Sequence, residues 1–216
     1  MMTKPLKIDF VSDVMCPWCA VGLGSLERAL AKLGDEVEAE IRFHPFELNP
    51  AMPKGGQDLF EHLGQKYGLS KDQILVNQER LRERAAESGF VMARDEKSRM
   101  YNSFDAHRLL HWAGLEGGQA ALKHALLGAY FSCGENVEDH EVLAGAAEVA
   151  GLDREAAREV LASGRYAEEV RAEERDWLEK GINSVPAVVI ADRYLISGGQ
   201  PAEAFEQAIR QIVAKG

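Results

Sequence analysis

The chain has 216 residues, of which 46% are hydrophobic and 28% charged, and a formal net charge of −10. This is enough for one large domain, or a domain with an insertion, built around an ordinary core. The acidic balance argues against a phosphate-binding surface, which needs clustered Lys and Arg, and against anionic membranes.

No apolar run has the length of a membrane span. Residues 1–5 lead into the first apolar segment without a signal-like region, so a cytoplasmic location is expected, with neither nucleic acid nor membrane as a partner. Three cysteines are too few for a disulfide framework and fit one working pair plus a single thiol.

Residues 6–11 are rich in apolar side chains and read as a short buried strand. Val14-Met15-Cys16-Pro17-Trp18-Cys19 follows. Beyond it Leu23, Leu26, Leu30 and Leu33 recur at helical spacing, and Gly34 is the stop. A C-x-x-C pair where a strand hands over to a helix reads as a redox couple. In a first helical turn the two positions share one face, so their sulfurs can join with little backbone movement. The unpaired N–H groups and positive end of the helix favour thiolate and lower the pKa of the first cysteine. Pro17 fits there because a first-turn N–H has no intrahelical partner. Cys16 is therefore expected as the exposed nucleophile and Cys19, one turn inward, as the resolving thiol. A zinc site would need further ligands, and there is no second C-x-x-C, so no metal is expected.

Residues 36–46 alternate, with Val37, Ala39, Ile41 and Phe43 on one face of a second strand that Pro45 ends. Residues 47–53, with Pro50 and Pro53, form a shaped loop. Strand, helix, strand implies a right-handed crossover. Strand character then vanishes over residues 54–164. Helices are expected at 57–67, 70–88, 98–113, 119–131, 139–150 and 154–162, an all-helical block with Tyr101, Phe104 and Trp112 as core. A charged helix spans 167–180. Residues 185–190 are β-branched and apolar, a buried strand with Pro186 near its start. A turn at 191–193, a partner strand at 194–197 and an amphipathic helix at 202–214 complete the chain. This order is that of an α/β protein: a thioredoxin-like domain from 1–53 and 165–216, with a helical insertion domain at 54–164.

Several polar residues have plain readings. Asp13 is a turn or cap residue, or less readily a proton acceptor for the resolving thiol, with Asp9 a weaker candidate. His107 and His111 are four apart on one helix without the carboxylate of a metal motif. Arg80, Arg82 and Arg84 with Glu79, Glu83 and Glu87 read as a solvated face. Cys133 reads as a small buried or loop thiol.

Four stretches, in order along nearly the whole chain, carry a family resemblance: Ser12-Asp13-Val14-Met15-Cys16-Pro17-Trp18-Cys19, Phe46-Glu47-Leu48-Asn49-Pro50, Ala106-His107-Arg108-Leu109 and Ser184-Val185-Pro186. On these the sequence resembles the DsbA-like thioredoxin family, within it the FrnE-like branch. The resemblance implies a thioredoxin fold with an inserted helical domain, thiol-disulfide oxidoreductase activity and a cis Val185-Pro186 bond beside the C-x-x-C pair. It implies Pro17, Trp18, Val185 and Pro186 as substrate-binding residues, the Val185 backbone pairing with an extended substrate by strand addition. The partners implied are thiol- or disulfide-bearing proteins or small thiols, with glutathione as a co-substrate, no tightly bound cofactor, and a monomer or homodimer.

One departure within the superfamily has a consequence. Strongly oxidising periplasmic relatives carry His between the cysteines, where a cation stabilises the thiolate. Pro17-Trp18 brings no charge, which predicts a more reducing couple. Kappa-type glutathione transferases and 2-hydroxychromene-2-carboxylate isomerases share the inserted architecture, with serine at the first site position. A glutathione-dependent isomerase or transferase is thus the alternative, and the retained cysteine pair speaks against it. A non-catalytic peptide-binding protein is a third reading that no motif promotes.

Overall fold

The structure, a computed structural model, describes residues 5–93 and 98–215. β1 (Leu6–Ser12) lies inside a four-stranded sheet. It runs parallel to β2 (Ala39–Pro45) and antiparallel to β5 (Ala187–Ile190), which pairs antiparallel with β6 (Tyr194–Ser197), in the order β2-β1-β5-β6. Residues 8–12 of β1 are buried without alternation because both faces of the strand are covered. Ile8 and Phe10 enter the main core with residues of α1 (Pro17–Leu33) and α9 (Ala202–Val213), among them Leu26, Phe205 and Ile209. Val11 belongs to a second cluster with Trp177, on α8 (Ala167–Glu179), and Ile182. This is the expected thioredoxin-like α/β arrangement.

Between β2 and α8 run α2 (Leu59–Tyr67), α3 (Lys71–Glu87), α4 (Phe104–Leu115), α5 (Gln119–Leu127), α6 (His140–Val149) and α7 (Arg154–Ser163). Their ends follow local chemistry. Ser70 and Gln73 close a capping box on α3, and the Asp139 and Asp153 carboxylates accept first-turn N–H groups of α6 and α7. Gly68 and Gly164 end α2 and α7 in the left-handed region.

The segment is not all-helical. Gln57–Asp58 (β3) pairs antiparallel with Arg99–Met100 (β4), so α2 begins at Leu59 and α4 at Phe104, later than the periodicity predicts. Two-residue strands carry no period to read. They are held instead by the Arg99 guanidinium, which donates to the carbonyls of Gly55 and Gly56, and by the Tyr130 hydroxyl, which donates to the Arg99 carbonyl. Part of the loop before β4 lies outside the described residues. Three further expectations shift. α5 stops at Leu127 and passes into a π-turn over Gly128–Ser132, and a 3₁₀ turn at Gly34–Glu36 delays β2 to Ala39. β5 starts at Ala187, so Val185-Pro186 precedes the strand. Trp112 is buried, Tyr101 and Phe104 are half-buried, and Cys133 is exposed.

Two contacts join the sheet to the helical segment. The Phe43 N–H donates to Gln119 Oε1 and Gln119 Nε2 donates to the Phe43 carbonyl, both at 3.0 Å. A side-chain amide thus takes the place of a neighbouring strand along the free edge of β2. On the other side of α1, a Cβ at Gly24 would lie 2.6 Å from the Ser88 carbonyl oxygen. That oxygen belongs to backbone and cannot swing away. Gly24→Ala is therefore expected to cost about 1–3 kcal/mol. Gly145→Ala, in α6 with nothing within 4 Å of the added carbon, should be neutral or stabilising by up to about 1 kcal/mol. Urea midpoints of the two variants check both signs at once.

Candidate active site

The C-x-x-C pair sits at the turn from β1 into α1. The Cys16 N–H donates to the Asp13 carbonyl at 3.2 Å, and Cys16 itself is the extended N-cap of the helix (φ −88°, ψ 113°). Pro17 occupies the first helical turn, where its missing N–H costs nothing. The Cys16 carbonyl accepts from the N–H groups of Cys19 at 3.0 Å and Ala20 at 3.4 Å. Both cysteines are free thiols.

Cys16 is less open than the sequence suggests: it is only 4% exposed and Cys19 is fully buried. The most open residue of the turn is Trp18, at 41%. The segment before β5 reaches Cys16. The Val185-Pro186 bond is cis, and the Cys16 thiol points at the Val185 carbonyl, 3.8 Å away. Packing here leaves no room for added carbons. A Cβ at Gly22 would meet Pro186 Cγ at 3.1 Å, and one at Gly199 would meet the Trp18 carbonyl oxygen at 2.9 Å. Cys16, Pro17, Trp18, Val185 and Pro186 therefore form one patch.

The two thiols are electrostatically unequal. The Cys19 thiol, hydrogen-bonding to Cys16, holds the Cys16 pKa below the ordinary cysteine value, against the effect of burial; the N–H groups of Cys19 and Trp18 at the helix start add to this. Burial pushes the Cys19 thiol well above its ordinary value, and the neighbouring Cys16 adds to the rise. Charge on the pair therefore belongs on Cys16.

Beneath the pair lies a polar layer that sequence reading catches only in part. Asp13 is fully buried; its Oδ1 accepts from the Met15 N–H at 3.0 Å and its Oδ2 from the Leu48 N–H at 2.7 Å. It is the expected turn residue, and it also pins the loop that follows β2. Burial pushes its pKa up, but His107, 3.6 Å away, and the two N–H donors more than offset this and leave it lowered. His107 is buried on α4, and its Nε2 has no hydrogen-bond partner. Glu47, buried in the same loop, pairs with Arg171 of α8, which also holds Glu174 at 2.8 Å.

His44 of β2 stands between two carboxylates: Nε2 is 2.7 Å from Asp9 and Nδ1 is 2.5 Å from Glu173 of α8. A ring nitrogen facing a carboxylate donates to it, so the doubly protonated ring is the form that both contacts favour. Burial pulls its pKa down, but the two carboxylates outweigh that and raise it. Glu173, also near His111, is held down at about 2 against its burial by the two histidines.

Two more residues were not anticipated. Lys123 of α5 is 1% exposed, and its Nζ has no hydrogen-bond partner; burial lowers its pKa. Tyr67, ending α2 and largely exposed, stands in the field of Cys16, whose charge joins burial in raising the phenol pKa. Only Lys123 left a mark in the sequence, as a cation among Leu122, Leu126 and Leu127 on the inward side of its helix. A cavity of about 530 Å³ opens beside β2, lined among others by Phe43, His44, His107, His111, Lys123 and Glu173. Neither active-site thiol lines it. Among the described residues, no group of three or more His, Cys, Asp or Glu is arranged to hold a metal ion. Nor is any helix long and apolar enough to cross a membrane.

Comparison with known proteins bears on this geometry. Residues 7–210 match the DSBA-like thioredoxin domain. The structure superposes on the crystal structure of a probable DsbA oxidoreductase from Streptomyces coelicolor with a TM-score of 0.92, at 37% identity, covering 98% of this chain and 91% of that one. A 2-hydroxychromene-2-carboxylate isomerase gives a TM-score of 0.70 at 20% identity, covering 97% of each chain. A cytosolic disulfide reductase from Pseudomonas aeruginosa, solved with glutathione, gives 0.65 at 16%, covering 97% of this chain and all of that one. The last two likenesses concern the fold alone.

Proposed function

Because this chain belongs to the DsbA-like thioredoxin family, we propose that it is a thiol-disulfide oxidoreductase working through Cys16 and Cys19. The observation that carries this reading is the inequality of the two thiols across one helical turn, with the Val185 carbonyl over the more acidic of them.

The cycle follows from that geometry. The Cys16 thiolate attacks a substrate disulfide; one substrate sulfur leaves as thiolate and takes a proton, and the other stays bonded to Cys16. The Cys16 thiol no longer exists at that stage, so the Val185 carbonyl is free to accept a backbone N–H from an extended substrate. Cys19 then attacks Cys16, the second substrate thiol leaves, and the Cys16–Cys19 disulfide remains. Reversal oxidises a dithiol substrate. Trp18, exposed beside Pro17, and Pro186 supply the apolar floor for that substrate. The substrates proposed are disulfide-bearing proteins or small thiols such as glutathione, in the cytoplasm. The domain division that serves this is 1–53 with 165–216 for the redox site, and 54–164 as the helical insertion.

Equilibration of the pair with glutathione buffers tests the reading and its direction. With no cation between the cysteines, the couple is expected nearer the thioredoxin value of about −270 mV than the strong-oxidant value of about −120 mV. A pair that never forms an intramolecular disulfide under these buffers would end the proposal. The glutathione-dependent isomerase reading makes the opposite prediction for Cys19→Ser, which should leave isomerisation intact.

A further inference from the structure

A buried ammonium normally has a carboxylate or carbonyl within reach, because an unpaired charge in the interior is costly. Lys123 has neither: its Nζ is shut off from solvent and without a hydrogen-bond partner. The groups whose charge acts on it are Cys19, Asp13 and Cys16, in that order. Asp13 is already committed to the N–H groups of Met15 and Leu48. α4 offers His107, which faces Asp13, β2 offers the Phe43 ring, its centroid 6.0 Å from Nζ, and α5 itself carries His124, whose pKa the Lys123 charge lowers. The partner missing from the resting dithiol is one the reaction would create: the Cys19 thiolate.

We propose that Lys123, contributed by the helical segment, is the charge partner of Cys19: as the Cys19 thiol gives up its proton, the Lys123 amine takes one up, so the attacking species is a thiolate–ammonium pair. The proposal rests on the dithiol cycle above and adds to it the group that makes the second step feasible. The balance is simple. Cys19 S–H and a neutral Lys123 amine become thiolate and ammonium. The thiolate bonds to Cys16 Sγ, the Cys16–substrate bond breaks, and the substrate leaves as thiolate. The ammonium, having lost its partner, releases the proton to that thiolate or to solvent. Lys123 and His107 both line the cavity beside β2. Burial lowers Lys123 and raises Cys19, which keeps both groups neutral at rest; the attraction between their charges works the other way, lowering Cys19 and raising Lys123, and is what favours the pair as the thiol ionises. Lys123 acts here as a positioning residue for charge on Cys19.

The test uses the full chain carrying Cys16→Ser and Cys133→Ser, so that Cys19 is its only thiol, titrated by ultraviolet thiolate absorbance. Lys123→Met should move the Cys19 midpoint upward. An unchanged midpoint overturns the proposal whatever the activity. In the otherwise native chain, the mixed disulfide on Cys16 should form at the usual rate in Lys123→Met, and its resolution should slow about tenfold or more at neutral pH, with a displaced pH profile. Resolution at the native rate and with the native profile would equally overturn it. A native chain that forms no mixed disulfide sinks the redox reading and leaves the Cys19 midpoint to judge Lys123 alone. Removal of a buried amine that has no hydrogen-bond partner should hold or raise the melting temperature. Should Lys123→Met fail to fold, Lys123→Gln carries the same two measurements.

Discussion

Cys19→Ser is expected to stop the cycle halfway and leave substrates covalently attached to Cys16. Cys16 in this variant keeps the first-turn N–H groups of Trp18 and residue 19 but loses the thiol that hydrogen-bonds to it, so its nucleophilicity survives in reduced form. The attack that releases the substrate has no second sulfur, and the mixed disulfide persists. Non-reducing gels of cell extract should show adducts that disappear on addition of dithiothreitol. Cys16→Ser should show none, with turnover of a model disulfide down by on the order of 10³-fold or more, the scale on which loss of a nucleophile acts. Adducts of equal strength in both variants would place the reactive thiol elsewhere, with exposed Cys133 the first suspect.

The second large effect belongs to His44. Its imidazolium links β2 to β1 through Asp9 and to α8 through Glu173, 15% exposed and with Trp177 centred 4.8 Å from its ring. The pKa directions set a pH window. A raised histidine pKa contributes stability fully below the unfolded value of 6.5, lost as pH rises through the folded value. Glu173, held at about 2 against 4.5, contributes above 4.5 and loses that as pH falls toward 2. The network is therefore at full strength between about pH 4.5 and 6.5. His44→Gln should cost about 2–3 kcal/mol there, somewhat less than breaking a fully buried pair. It should also flatten the loss of stability on the alkaline side. Urea titrations near pH 6 and 9 measure this; a mutant retaining the native alkaline decline would show that another group titrates.

Much of this fold is legible in the sequence because it rests on regular patterns. The leucines of α1, the alternation in β2 and the capping residues Ser70, Asp139 and Asp153 each announce their element, and the C-x-x-C turn with Val185-Pro186 announces the candidate site. What stayed hidden has no local pattern. β3 and β4 are two residues long and exist only because residues some forty positions apart meet. His44 reads as one polar residue in an alternating strand. Its role depends on Asp9 and Glu173, which lie 35 and 129 positions away. The closed position of Cys16 was equally hidden, since the C-x-x-C motif carries no information on what packs against it.

The side-chain amide of Gln119 on the edge of β2 has a further consequence. A sheet with two open edges can propagate in both directions, and chains stacked edge to edge form fibrils. Here one end is capped by a group that ends the ladder after a single pair of bonds. At Phe43 the β2 edge therefore has no backbone N–H or carbonyl left to offer another strand, whereas β6 is the sheet's other edge.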